Sequence, residues 1–463
     1  MPDLPTLTFY GAAGTVTGSK YHLQFNNEQI LLDAGLFQGL KELRLRNWGA
    51  PPFDCTRLQA VILSHAHIDH SGYLPVLTKY KFRGPVFCTS PTADLLDIML
   101  KDAAKLQEED ARFANKRGFS RHKPALPLYD GEDVKRALER LRPQHFGKKF
   151  QVTQEISATF HRAGHILGAA IGVIQIGRKD PVKLVFSGDL GRRHQPILLE
   201  PDPMDEADFL LLESTYGNRM HPKDALDKLA AIVRETAAKD GVLVIPAFAV
   251  GRTQELIWYL RRLEEEEKIP VLPVFVDSPM ATEVTEVYAF HDEEHDSEMD
   301  ALNQRAGSLR TRNFTLVESH EDSKRLNRMN GPMIVISSSG MATGGRVLHH
   351  LEHRIEDEKN TILVAGFQAA GTRGRTLKEG AKELRFYGRD VPVRARVEAL
   401  DGLSAHADQE DIMEWLKGFK RPPKKTWIVH GEPASCQALA EKICSELGWD
   451  ASAAQDGATV ELG

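Results

Sequence analysis

Cysteine is scarce in this chain. Four occur in 463 residues, Cys55, Cys88, Cys436 and Cys444, and none stand in a C-x-x-C arrangement. That spacing supplies neither a thiolate metal site nor a disulfide framework, so each is expected as a reduced, buried thiol. Excess charge is also missing: 59 Lys and Arg face 65 Asp and Glu, a formal −6. Indiscriminate attraction to polyanions is thereby excluded, and any nucleic-acid contact has to come from a local basic surface. No apolar run approaches a membrane span, so no membrane partner is expected. The opening Met1-Pro2-Asp3-Leu4-Pro5 has neither a basic nor an apolar leader region, which makes the cytoplasm the expected compartment. Internal repeats and low-complexity tracts are absent. The small-residue loop Gly11-Ala12-Ala13-Gly14-Thr15-Val16-Thr17-Gly18 lacks the Gly-Lys-Ser/Thr of a P-loop.

What is present begins with a globular composition, 27% charged and 41% hydrophobic, at a length that exceeds a single core. Two or more domains are expected. The centre of the chain is Ser64-His65-Ala66-His67-Ile68-Asp69-His70, directly after the apolar run Ala60-Val61-Ile62-Leu63. The run is short and partly β-branched, so it reads as a buried strand ending where the histidines begin. Neutral imidazoles and a carboxylate at a strand end suit Zn²⁺ and its neighbours without any thiol. His65 and His67 can point to one side while Asp69 and His70 enter the next turn, so one cluster can feed two metals. Ile30-Leu31-Leu32-Asp33 repeats the pattern, with Asp33 either orienting a ligating histidine or capping a strand. So does Lys183-Leu184-Val185-Phe186-Ser187-Gly188-Asp189, and together with His165 it offers Asp189 to complete a dinuclear site, the carboxylate bridging. His161 falls inside the preceding strand and reads as structural.

Helical patterns cover 91–114 and 132–142, with a basic stretch at 116–123 read as a solvated loop. From about residue 208 strands at 209–212, 242–245, 274–276, 333–336 and 361–364 alternate with helices such as 253–265 and 346–354. That alternation predicts a parallel, doubly wound α/β sheet. Ligands bind such sheets at strand carboxyl ends, which makes Ser337, Ser338 and Ser339 candidate phosphate contacts, with Arg252 beside them. The segment 391–400 reads as a further strand. After it, Ser404-Ala405-His406 and Trp427-Ile428-Val429-His430-Gly431-Glu432 bring histidines back to strand and helix ends. The last segment is therefore expected to fold onto the first.

The set His65, His67, Asp69, His70, His165 and Asp189, with Asp33 behind it, resembles the signature of the metallo-β-lactamase fold. Glu213-Ser214-Thr215-Tyr216-Gly217, Ser337-Ser338-Ser339-Gly340-Met341, Ser404-Ala405-His406 and Val429-His430-Gly431-Glu432 narrow the resemblance. They are similar to the β-CASP nucleases, most closely the branch of the cleavage and polyadenylation endonuclease and its prokaryotic relatives. The resemblance implies an αββα domain built from both ends of the chain (1–207 and 394–463) with a β-CASP domain (208–393) inserted as a lid. It leaves no room for an N-terminal KH extension or the further C-terminal domain of the RNase J type. It also implies two zinc ions, with manganese as an alternative. One would sit on His65, His67 and His165, the other on Asp69, His70 and His430, with Asp189 bridging and Asp33 behind the ligands. Asp69, His406 and Glu213 would be catalytic, the last two forming a pair at the scissile phosphate.

The expected reaction is hydrolysis of RNA phosphodiester bonds by metal-activated water, endonucleolytic, in RNA processing or decay. His406 would protonate the leaving 3′-oxygen, and Glu213 would favour its imidazolium form. A 5′-exoribonuclease, a DNA-directed β-CASP nuclease and a small-molecule metallo-hydrolase stay open as alternatives, as does a homodimer. The resemblance favours RNA because DNA-directed members replace the histidine at the position of His430. A small-molecule hydrolase has no need of the roughly 240 residues between Asp189 and His430.

Overall fold

Runs such as Ile30-Leu31-Leu32 and Ala60-Val61-Ile62 carry no polar face, and in the computed structural model they are strands buried on both sides. The structure describes residues 4–118, 122–306 and 309–463, so the centre of the basic stretch at 116–123 lies outside the described residues. Contacts divide the chain into two units. One comprises Met1–His194, Leu199–Met220 and His406–Gly463, the other Gln195–Leu198 and His221–Ala405.

The first unit holds two seven-stranded sheets. In the first, Thr459–Glu461, Thr6–Phe9, Tyr21–Phe25, Glu28–Leu32, Ala60–Ile62, Val86–Thr89 and Leu141–Gln144 lie side by side. The second runs Ala451–Ala453, Lys425–Val429, Phe209–Glu213, Val182–Phe186, Ala170–Ile176, Ile156–Arg162 and Lys149–Gln151. Their inner faces share one core, in which Leu7, Phe9, Tyr21 and Ile62 meet Phe160, Phe186, Leu211 and Trp427. Tyr21 sits edge-on to Phe186 at 5.4 Å between ring centroids, a geometry that favours aromatic pairs. The helix Ser90–Arg117 packs on the first sheet and Pro433–Leu447 on the second. This is the αββα arrangement, and both ends of the chain contribute strands to it.

The second unit is a six-stranded parallel sheet in the order Phe314–Leu316, Val274–Asp277, Met333–Ser337, Val242–Pro246, Thr361–Ala365, Arg396–Leu400. Helices such as Arg252–Glu265, Pro279–Phe290 and Val347–Arg354 alternate with its strands, as the doubly wound pattern requires. A hairpin of Glu383–Phe386 and Arg389–Pro392 lies beside it, turned by Tyr387 and Gly388 at φ 47° and 90°.

Four expectations need correction. The helix at 132–142 stops at Leu138 and 141–144 is an edge strand, because Pro143 holds Arg142 extended. Phe209–Glu213 belongs to the first unit, parallel between Val182–Phe186 and Lys425–Val429, since a uniformly apolar strand fits either parallel sheet. The strand at 391–400 is broken: Pro392 ends the hairpin, and Arg394 and Ala395 both donate to Ile355 O before Arg396–Leu400 joins the second unit's sheet, so the returning part of the first unit begins at 406 and not at 394. Cys444 is exposed, its Sγ donating to Ala451 O from the last turn of a surface helix, while the other three cysteines are buried. No helix among the described residues is long and apolar enough to cross a membrane.

Strand ends in the first unit interlock through backbone. Ser19 N donates to Asp69 O and Gly35 N to Ser19 O, both at 2.9 Å. A Cβ at Gly35 would stand 1.6 Å from Asp69 O, with no flexible side chain to yield. Gly35→Ala should therefore cost at least the ~1–3 kcal/mol of ordinary overpacking, read as a lower urea midpoint.

Candidate metal centre

Parallel pairing of Leu32 with Ile62 brings Asp33 and Ser64 out of the first sheet together, and Asp33 N closes on Ile62 O at 2.9 Å. The chain then leaves its strand through Ser64 and His65. His67 caps the one-turn helix Ile68–Ser71, which carries Asp69 and His70. From the second sheet come His165 after Ile156–Arg162, Asp189 after Val182–Phe186, Glu213 as the last residue of its strand, and His430 directly after Lys425–Val429. His430 adopts φ 49°, and its N–H donates to Ala12 O at 2.6 Å. The small-residue loop at 11–18 thus holds His430 by backbone.

Nitrogen and oxygen atoms converge in two groups. In one, His65 Nε2 lies 3.0 Å from His67 Nδ1, and His67 Nδ1 lies 3.3 Å from His165 Nε2. Asp189 Oδ2 stands 3.5 and 3.6 Å from His65 Nε2 and His165 Nε2. In the other, His70 Nε2 is 3.0 Å from His430 Nε2, which is 3.6 Å from Asp69 Oδ2. Asp189 Oδ1 completes it at 3.4 Å from His70 Nε2. Asp189 therefore turns one oxygen to each group.

These contacts are not hydrogen bonds that the protein completes for itself. His70 Nδ1 is 2.6 Å from Asp33 Oδ2, and His430 Nδ1 is 3.1 Å from Thr215 Oγ1. Ser64 Oγ donates to Asp33 Oδ2 at 2.8 Å, so at 3.0 Å it accepts from His65 Nδ1. With hydrogen on these Nδ1 atoms, Nε2 of His65 and of His430 is left to accept. Burial opposes charge on His70, but Asp189 and Asp33 raise it well above the usual imidazole range. Burial, the main cause, keeps His65 and His165 well below the usual imidazole range and His67 down at about 4. The buried Asp189 Oδ1 accepts no hydrogen bond of normal geometry. Imidazole nitrogens and carboxylate oxygens packed this closely form groups that can hold a cation. Tetrahedral donors about 2.0–2.2 Å from an ion stand about 3.3–3.6 Å apart, close to the separations seen here. Both groups fit a divalent metal.

Glu213 serves differently. Its Oε1 accepts from Leu190 N at 2.8 Å and His406 Nδ1 at 3.0 Å, and its Oε2 accepts from Thr215 N at 3.0 Å. With its oxygens so engaged, Glu213 orients His406, and the two also converge with Asp189. His406 is held by backbone pairing with Gly191, and its ring lies 4.4 Å from that of His165. Burial opposes charge on His406, but Glu213, together with Asp189 and Asp69, outweighs it and raises the imidazole above its usual value. The exchangeable proton is at Nε2.

The sequence-predicted residues of the first unit thus come together, with Asp33 behind His70 and His161 apart beside Asp202. Those of the second unit are more committed. Ser337 is buried and donates to Asp277 O, and the buried Arg252 pairs with Glu255 one turn along its own helix instead of reaching outward. Ser338 and Ser339 are half-buried, bonded to Ser278 and Thr343. Ser64 and Thr215 were missed. Their only signal is adjacency, one just before His65 and the other two residues after Glu213.

Two facing sheets with this donor set at their strand ends define a metal-dependent hydrolase of the metallo-β-lactamase fold. Comparison with known proteins agrees. Family models match as "Metallo-beta-lactamase superfamily domain" over 22–200, "Beta-Casp domain" over 253–377 and "Zn-dependent metallo-hydrolase RNA specificity domain" over 390–454. Ribonuclease TTHA0252 of Thermus thermophilus is 37% identical, covering 98% of this chain and 99% of that protein. An RNase J-like protein of Methanocaldococcus jannaschii is 31% identical over 95% of this chain and 96% of its own length. Transcription termination factor FttA of Methanosarcina mazei is 31% identical over 98% of this chain and 71% of its own. A crystal structure of a protein of unknown function from Enterococcus faecalis shares the fold, with a TM-score of 0.52 and 14% identity over 99% of this chain and all of that one. The chain belongs to the β-CASP family.

Outer hydrogen bonds of this kind typically govern metal affinity by 10–100-fold. Thr215→Val should weaken metal binding by about that factor in competition with a chelating indicator, with the circular dichroism spectrum unchanged.

Proposed function

We propose that this chain hydrolyses phosphodiester bonds of RNA, using two divalent ions held by His65, His67, His165, Asp69, His70 and His430 with Asp189 shared. The observation that carries the reading is Asp189 turning one carboxylate oxygen to each donor group while the His406–Glu213 pair stands alongside. Zinc is the ion we favour, since the donors are imidazoles and carboxylates without thiolate, and manganese is the alternative. When bound, the ions supply Lewis acidity toward phosphoryl oxygens and ionise water near neutral pH. Asp69 faces His430 and keeps its acceptor oxygen toward the second donor group. His406, protonated and oriented by Glu213, gives its Nε2 proton to the leaving 3′-oxygen, because an alkoxide leaves poorly. Ser338 and Ser339 are proposed as RNA contacts of the second unit, and Ser337 and Arg252 as the groups that shape it. Supporting RNA as substrate are the ribonuclease names of two relatives and the RNA specificity model over 390–454. We place the activity in the cytoplasm and favour endonucleolytic cleavage.

RNA labelled separately at each end should yield labelled fragments of intermediate length from both labels at early times. Release of mononucleotides from the 5′ end alone would replace this with exonucleolytic action. Chelation should abolish cleavage and Zn²⁺ or Mn²⁺ restore it, and undiminished activity of Asp69→Ala would overturn the assignment.

His406→Ala should keep two metals per chain by elemental analysis while cleaving ~10²–10⁴ more slowly. A substrate with a 3′-sulfur leaving group should recover most of that loss. Loss of a metal instead would make His406 a ligand.

A further inference from the structure

A chain of net charge −6 can approach nucleic acid only through a local basic surface, and one such surface has a defined shape. Residues 373–396 hold eight Lys and Arg against three Asp and Glu. They include the hairpin of Glu383–Phe386 and Arg389–Pro392 in the second unit. Leu384, Phe386 and Val391 anchor it in that unit's core, so its position is set by packing. Its tip exposes Tyr387, Arg389 and Arg385, the last lying 3.7 Å from Asp390 on the facing strand.

Tyr387 is not explained by the fold. A two-residue turn with both φ values positive favours Asn-Gly or Gly-Gly, and here a tyrosine takes the left-handed position at φ 47°. It remains 58% exposed. Its ring lies parallel to His349 of the helix Val347–Arg354, 5.3 Å between centroids and 20° between planes, and its hydroxyl reaches His349 Nε2 at 3.1 Å. That contact fixes the ring's orientation. Arg373 Nε donates to Arg385 O at 3.1 Å and ties a further guanidinium to the tip, and Arg389 pairs with Glu352 on the same helix as His349. Lys382 at the hairpin's base is exposed with no carboxylate partner among the described residues. An exposed, oriented aromatic ring among guanidinium groups is the arrangement on which an unpaired base stacks while its flanking phosphates are neutralised.

We propose that the Tyr387 hairpin is a binding platform for single-stranded RNA, with one base stacked on Tyr387 and neighbouring phosphates on Arg385 and Arg389. This rests on RNA being the substrate. A double helix keeps its bases stacked on each other and gains only the charge contact.

The test is fluorescence anisotropy of metal-loaded protein with a labelled single-stranded RNA, its backbone phosphorothioate to slow cleavage, and with the matching duplex. Tyr387→Ser should raise Kd for the single strand by about 5- to 150-fold, the loss of one stacked base, and leave the duplex Kd unchanged. Tyr387→Phe, which keeps the ring and its stacking on His349 but loses the hydroxyl contact, should lose far less than Tyr387→Ser. Arg389→Gln should lower the slope of log K against log salt by about 0.7 for the single strand. Metal content and thermal midpoint should not move in any variant. If the wild type binds RNA but Tyr387→Ser binds it equally well, the platform is refuted and the ribonuclease reading stands. A Tyr387→Ser defect of equal size on single strand and duplex also refutes stacking. If the wild type binds no RNA, both fail together.

Discussion

Imidazole lone pairs brought face to face in a buried space repel unless something positive lies between them. In the first unit His65, His67 and His165 form one such set, and His70 meets His430 at 3.0 Å beside Asp189. The remaining architecture serves to hold these groups in place against that repulsion. Hydrogen bonds from Asp33, Ser64 and Thr215 fix which nitrogen faces inward, and burial keeps His65, His67 and His165 neutral and ready to donate. Asp69 and Asp189 bring negative charge to the donor groups, with Asp33 behind His70 and Glu213 beside His406.

Strand ends supply that rigidity cheaply. Each donor lies within a few residues of a buried strand, so its backbone has little freedom to retreat. Where the chain is irregular it is locked by backbone contacts, as Ala12 O locks His430 and Gly164 packs behind Gly191. Glycine is required at Gly191 because a Cβ there would stand 1.9 Å from Gly164 O. The His406 loop is set against the same backbone, so His406 and the converging histidines share one frame.

Much of this was legible in the amino-acid order. The density of His65, His67, Asp69 and His70 after an apolar run marks a metal site without help, and the alternation of strands and helices beyond residue 240 marks a parallel sheet. The placing of His430 and His406 beside that site depended on resemblance, because nothing local encodes a contact across 360 positions. Ser64 and Thr215 were illegible for another reason: a hydroxyl's partner is decided by tertiary geometry. Arg252 was read as reaching outward, yet a carboxylate one helical turn away, Glu255, captured it. Phe209–Glu213 was assigned to the wrong sheet because a strand apolar on both faces fits either one.

Both ends of the chain build the first unit, and this has a consequence for synthesis. Thr459–Glu461 is the outer neighbour of Thr6–Phe9, and His406 and His430 arrive with the same returning segment. A nascent chain presents His65, His67, Asp69, His70, His165 and Asp189 long before His406 and His430 exist. The converging donor atoms are therefore brought to their full number only when the final segment has been made and has returned to the first unit.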